Sequence, residues 1–159
     1  ISATVGSFAN SIKQSYECAV ELNVIFAKAQ LAYAMNASVP EMNDEGIIEA
    51  PIARKEGSII ERCVSENGKY AKTSYKLLAK RKDLSLLQVK LFTGRTHQIR
   101  VHMAYIGCPL FNDNLYGTPG PQSRHALHAF KLRFIHPVSD TPVEITRTLP
   151  EDLRRIIYY

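Results

Sequence analysis

The pattern of apolar and polar positions changes character twice along the chain. Val5, Phe8, Ile12 and Tyr16 recur at helical spacing and predict a short helix over 4–17. Val24-Ile25-Phe26-Ala27 then reads as a buried strand, and 29–35 as the opening of a helix that stops early. The polar stretch 36–46, with Pro40, predicts a loop. From Ile47 onward the period is mostly two. Residues 47–54 predict a strand that Pro51 bends or confines to an edge. Glu66-Asn67-Gly68-Lys69 predicts a turn, and 72–80 and 84–93 predict the arms of a hairpin, with Leu87, Val89 and Leu91 on one face. Thr96 is a candidate cap for a helix running to about Ile106, with Ile99, Met103 and Ile106 as its apolar stripe. Gly107 suits a left-handed cap, and Pro109 follows. Residues 127–135 and 143–148 predict two further strands joined through 137–140. His128, Phe130, Leu132 and Phe134 share one face of the first, and His128 reads as structural. A final helix is expected over 151–157. The succession predicts an α+β fold: a mixed, mainly antiparallel sheet with flanking helices.

Composition bounds the function classes. The 159 residues are 45% hydrophobic and 22% charged, as expected of one soluble globular domain over 1–159. No apolar run approaches the ~20 residues of a membrane helix, and the first residues carry no basic-then-apolar leader. These features predict a cytoplasmic protein without a membrane partner. Cys18, Cys63 and Cys108 are too far apart for a zinc or redox motif and read as reduced thiols. Histidines 97, 102, 125 and 128 lack the i, i+4 spacing of the common helical zinc pair, so no metal is expected.

Charge sharpens the picture. Residues 1–79 carry 8 Lys/Arg against 9 Asp/Glu, whereas 80–159 carry 12 against 6 and hold all five histidines. A basic half is a footprint for a polyanion. Within it, Thr93-Gly94-Arg95-Thr96-His97-Gln98-Ile99-Arg100-Val101-His102-Met103 predicts a strand end, a tight turn at Gly94 and a helix start whose first N–H groups are free. Arg95, His97 and Arg100 add donors there, suited to phosphate oxygens or to a buried carboxylate. His97, Gln98 and Arg100 are expected to line the deepest basic cleft, with Arg95 nearby.

The stretch Gly94–His102 resembles the C-terminal signature of RluA-type pseudouridine synthases. The resemblance continues through Gly107-Cys108-Pro109-Leu110, Asp113-Asn114-Leu115-Tyr116-Gly117, Leu127-His128-Ala129-Phe130-Lys131-Leu132 and Phe134-Ile135-His136-Pro137. Upstream it includes 47–54. It implies a mainly antiparallel sheet crossed by an RNA cleft. The implied reaction detaches uracil from its ribose, rotates it and rejoins it through a ring carbon, in ribosomal or transfer RNA, with no cofactor and no metal. The target base must leave its stack. The resemblance also implies an essential aspartate paired with Arg100, and a tyrosine stacked on uracil, for which Tyr33 is the candidate. Arg95, Thr96, His97, Gln98 and His102 are expected to bind RNA. The expected partner is RNA alone, engaged by a monomer.

The family's aspartate normally sits in a His-Arg-Leu-Asp block ahead of a strand ending Phe-Ala-Lys. Phe26-Ala27-Lys28 is present, but counting back gives Gln14-Ser15-Tyr16-Glu17 and then Cys18–Asn23, with only Glu17 at the right count. Residues 17–23 suit neither a strand nor the turn that should follow the aspartate. Asp44, Asp83, Asp113, Asp140 and Asp152 fall in other places. Two expectations follow: segments of the natural protein are missing near 14–24 and 35–39, or the chain is an inactive RNA-binding module of the same ancestry.

Overall fold

The computed structural model describes residues 20–28, 43–81, 84–120 and 124–158, with the backbone alone for 20–28, 81, 157 and 158. The elements in chain order are β1 (Val20–Lys28), β2 (Glu45–Glu49), β3 (Ile52–Arg54), β4 (Arg62–Val64), β5 (Lys72–Arg81), β6 (Leu84–Leu91), α1 (Gln98–Tyr105), β7 (Leu127–Ile135), β8 (Pro142–Thr146) and α2 (Glu151–Tyr158). The expected helices over 4–17 and 29–35, Glu17, Tyr33, the break expected near 35–39 and residues 14–19 of the break expected near 14–24 lie outside the described residues.

Six strands form one sheet in the order β2-β5-β6-β1-β7-β8, and β3 and β4 form a separate two-stranded ribbon. Every pairing among the described residues is antiparallel. The fold is therefore α+β and mainly antiparallel, as the periodicity predicts. The β5–β6 hairpin runs from Thr73↔Leu91 to Arg81↔Leu84, with one register shift between Leu77 and Ala79. The extra residue there, Leu78, is turned out and half exposed.

Three local expectations are corrected. Val20–Asn23 was expected to suit no strand, yet it lies within β1, with a shift of register against β7 between Leu22 and Asn23. This strand is paired on both sides, with β6 and β7, and two ladders outweigh the weak strand preference of Glu21 and Asn23. Glu45 and Gly46 belong to β2 rather than to a loop. Gly46 stands opposite Tyr75, whose ring would lie 2.6 Å from any added Cβ, so a residue poor in strand propensity fits where others would clash. Pro51 does not bend one strand but divides two, β2 in the main sheet and β3 in the ribbon.

The helix α1 ties the two sheets together. Ile99 and Met103 pack with Ile48, Ala50, Leu87, Val89, Cys108 and Leu110 in the main core. Val101 turns to the ribbon side and packs with Ile52 and Ala71, with Val64 and Tyr116 against them. Burying side chains of this size stabilises by about 1.5–3 kcal/mol each. The helix ends at Gly107, whose φ of 79° is the left-handed value expected there, and the Cys108 N–H closes onto the Met103 carbonyl at 2.9 Å. The ribbon and the start of α1 thus face each other across the 93–97 turn.

Candidate functional site

The turn before α1 is held by Gln98, not by Thr96. The residue that caps the helix is His97, in the left-handed conformation (φ 58°, ψ 19°), and no side chain caps the first turn. Gln98 is 3% exposed. Its Oε1 accepts from Thr93 Oγ1 (2.8 Å) and from the Arg95 N–H (2.9 Å), while its Nε2 donates to the Lys72 carbonyl (3.0 Å) and to Thr73 Oγ1 (2.9 Å). Gly94 does not have a positive φ and has open space beside it, so the tight turn expected at Gly94 falls instead on His97. A non-glycine residue in that region costs of order 1–2 kcal/mol and is retained where surrounding bonds hold it.

His102 lies one turn further in and is fully buried. Its Nε2–H donates to the Ala50 carbonyl at 2.9 Å, and Nδ1 meets Thr73 Oγ1 at 2.8 Å. A backbone carbonyl only accepts, so the neutral ring places its proton on Nε2 and takes the Thr73 hydroxyl proton at Nδ1. Burial lowers the imidazole's proton affinity, which the Ala50 bond only partly offsets. Gln98 and His102, both expected to bind RNA, are thus interior residues that lock β5 to the turn.

Arg100 finds an acid, but not the one expected. Its Nε and Nη2 donate to Asp113 Oδ2 (2.8 Å) and Oδ1 (2.7 Å) in a bidentate pair. Asp113 is 0% and the Arg100 side chain 11% exposed. The Leu115 and Tyr116 N–H groups also donate to Asp113 Oδ1. Burial alone would raise the Asp113 carboxyl, but Arg100 and these two N–H groups hold it below the usual carboxylate range. Arg100 also lies 4.9 Å from the Tyr116 ring centre. The Tyr116 hydroxyl accepts the Arg62 N–H at 2.9 Å and meets His97 Nδ1 at 2.8 Å. Which of the Tyr116 hydroxyl and His97 Nδ1 donates follows from the His97 tautomer; the His97 imidazole is pushed down by burial and then by the charges of Arg100 and Arg62.

In front of this layer lies a cavity of about 500 Å³ lined by Ile52, Ala53, Arg54, Arg62, Asn67, Gly68, Lys69, Gly94, Arg95 and Thr96. Four of these are cations and none is an acid. Of the residues expected to bind RNA, Arg95 and Thr96 reach this wall, whereas His97, Gln98 and His102 do not, and neither does Arg100, which was expected with His97 and Gln98 to line the deepest basic cleft. Arg95 donates from Nε to the Tyr70 carbonyl at 2.9 Å, which holds its charge at the rim. The pattern of charge along the chain missed Arg54, Arg62 and Lys69, because they belong to the half with no net positive charge. The β3–β4 hairpin and the turn after it bring them opposite Gly94–Thr96. Gly68 is essential to that wall, since an added Cβ would meet the Ile52 backbone at 2.6 Å. Among the described residues, no group of three or more His, Cys, Asp or Glu gathers as a metal site would require, and no helix is long and apolar enough to cross a membrane.

Comparison with known proteins places this geometry. The sequence profile described as RNA pseudouridylate synthase matches residues 8–105. The uncharacterized RNA pseudouridine synthase YjbO of Bacillus subtilis is 40% identical over 131 residues, which cover 82% of this chain and 46% of that protein. A ribosomal large subunit pseudouridine synthase D of Xanthomonas campestris is 38% identical over 127 residues, covering 70% and 38% of the two chains. The chain thus spans less than half the length of these curated relatives. Among solved structures, human RNA pseudouridylate synthase domain containing 1 superposes with a TM-score of 0.72 at 24% identity, over 95% of this chain and 63% of that one. At that identity the likeness is one of fold.

Proposed function

Because the chain belongs to the RNA pseudouridylate synthase family, we propose that the protein isomerises uridine to pseudouridine in structured RNA. The observation that carries the reading is the convergence of Arg54, Arg62, Lys69 and Arg95 on one cavity with no acid in its wall. Its volume falls in the range of small-molecule and cofactor sites, suiting a nucleotide turned out of its stack, and the cations suit the phosphates on either side. The reaction breaks a C–N bond and forms a C–C bond within one nucleotide. Atoms and electrons balance without an oxidant or group donor, so the reading needs no cofactor. Arg100 serves as a positioning residue: bound to Asp113 and stacked on Tyr116, it fixes the floor behind the His97 turn. Relatives named for the ribosomal large subunit make its RNA the first substrate to test, with transfer RNA second. The protein is proposed to act in the cytoplasm as a monomer.

One observation favours a second reading, an RNA-binding module without chemistry. No carboxylate among the described residues lines the cavity, and the acid nearest in role, Asp113, is already bound by Arg100 and two N–H groups. The test is pseudouridine formation by the full-length protein on unmodified large-subunit RNA transcribed in vitro. Pseudouridine should form, and Arg62→Gln with Lys69→Gln should lower kcat/KM more than about tenfold, the order expected for lost charged hydrogen bonds. RNA binding without pseudouridine would support the module, and neither binding nor product would overturn both.

A further inference from the structure

Beside the cavity, two aromatic rings stand in solvent. Tyr70 is 54% and Phe92 51% exposed. Phe92 lies just past the end of β6, and its N–H donates to the Lys72 carbonyl at 3.1 Å. Thr73 and Leu91 pair across β5 and β6, as do Thr73's neighbour Ser74 and Lys90. Thr73 and Val89 are fully buried. By alternation, Lys72, Lys90 and Phe92 therefore share the opposite face of the sheet. There, Lys72 Nζ stands 5.5 Å and Lys90 Nζ 4.9 Å from the centre of the Phe92 ring. Lys72 also pairs with Glu49. Among the described residues Lys90 and Arg95 have no ion pair.

The chain joins this patch to the cavity rim at two points. Tyr70 follows Lys69, which lines the cavity, and its carbonyl holds Arg95, which lines it too. Phe92 precedes the lining residue Gly94 by two positions, a span of at most roughly 7 Å. An exposed phenyl ring with two ammonium groups drawn to it is an arrangement that gains from an occupant. Both lysines are drawn to the ring; Glu49 already partners Lys72, while Lys90 has no acid among the described residues and is open to an incoming anion. A base offers a π-face to the ring, and its flanking phosphates offer the anion.

We propose that Phe92, flanked by Lys72 and Lys90, is a stacking platform for an unpaired base next to the nucleotide held in the cavity. The lysines take the phosphates of that strand. The proposal rests on the reading of the cavity as an RNA site, and it adds a second point of attachment outside the cavity on the sheet face.

The test uses the full-length protein with two probes, oligouridylate and the large-subunit RNA transcript. Phe92→Ala should weaken binding of both by roughly 5- to 100-fold, the range for loss of one base–aromatic stack, with thermal unfolding unchanged. Phe92→Trp should keep the affinity. It adds a tryptophan where these 159 residues have none, and the fluorescence gained over the parent protein should be quenched as oligouridylate binds. Lys90→Gln should reduce the slope of log K against log salt by about 0.7. Wild-type affinity in Phe92→Ala, or unquenched fluorescence in Phe92→Trp at saturating RNA, would overturn the proposal. So would a change in the oligomeric state of RNA-free Phe92→Ala, which would mark the patch as a protein contact. Product without any dependence on Phe92 would sink the platform and leave the enzyme reading intact. Phe92-dependent binding without product would do the reverse.

Discussion

The cavity wall and the layer behind it use the same kinds of residue to opposite ends. Behind the 93–97 turn, Arg100 is almost buried and gives two hydrogen bonds to a buried carboxylate. Gln98 meets four partners, and His102 is held at both ring nitrogens. In front of the turn, Arg54, Lys69 and Arg95 are exposed, Arg62 is partly so, and among the described residues none of the four has an acidic partner. A paired charge inside contributes geometry; an unpaired charge at the surface contributes potential for an incoming anion. Substitutions behind the turn should therefore act on stability, and substitutions in front on RNA affinity.

The largest effect is expected at Asp113. Asp113→Ala leaves the Arg100 guanidinium with no carboxylate and should lower the unfolding free energy by about 3–5 kcal/mol, the cost of breaking a buried pair on one side. Denaturant titration measures it, and a loss below about 1 kcal/mol would mean that the pair behaves as a surface contact. Gln98→Ala comes next. It leaves the Lys72 carbonyl, Thr73 Oγ1 and the Arg95 N–H short of a partner, at about 1–3 kcal/mol, and should not alter the salt dependence of RNA binding by the folded fraction.

A smaller effect concerns pH. The imidazoles of His102, His97 and His125 are all lowered from 6.5, in each case chiefly by burial. Below about 6.5 the unfolded chain binds protons that the folded chain refuses. The stability these groups contribute is therefore present above that pH and falls as the pH drops through the window beneath it. Urea midpoints from pH 8 to 5 should decline on the acid side, and His102→Asn should flatten the decline. A midpoint that rises on acidification would contradict the neutral His102 drawn here. The smallest effect is expected for Thr96→Ala. Thr96 is exposed and caps nothing, so unfolding should change by no more than about 0.5 kcal/mol.

Where residues carried strong local signals, the sequence was legible. The β5–β6 hairpin, the apolar stripe of α1 and the Gly107 stop could be read because each rests on neighbours within a few positions. Features set by distant residues could not. Thr96 has the chemistry of a cap, but Gln98 reaches back to the Arg95 N–H and the turn closes one residue later, through His97. Asp113 belongs to a separate sequence block, and only the loop after α1 brings it to Arg100. The cavity cations Arg54, Arg62 and Lys69 sit among acids in sequence, so summing charge over that half hides them; the hairpin that collects them is set by pairings such as Ala53↔Cys63. The bridge Ile52↔Lys69 then adds the third cation. Arg95 was legible for the opposite reason, since it lies in the basic half and in the turn itself.

The division between the two layers is tested most directly by the salt dependence of RNA binding. The protein with Arg54→Gln, Arg62→Gln and Lys69→Gln should be compared with the parent, the unmodified large-subunit transcript being titrated across a range of salt concentrations. Each lost phosphate contact should reduce the slope of log K against log salt by about 0.7–0.9. A combined reduction of about 2–3 is expected, with the unfolding free energy changed by less than about 1 kcal/mol in all. An unchanged slope, or a slope that falls only because the protein has unfolded, would contradict it.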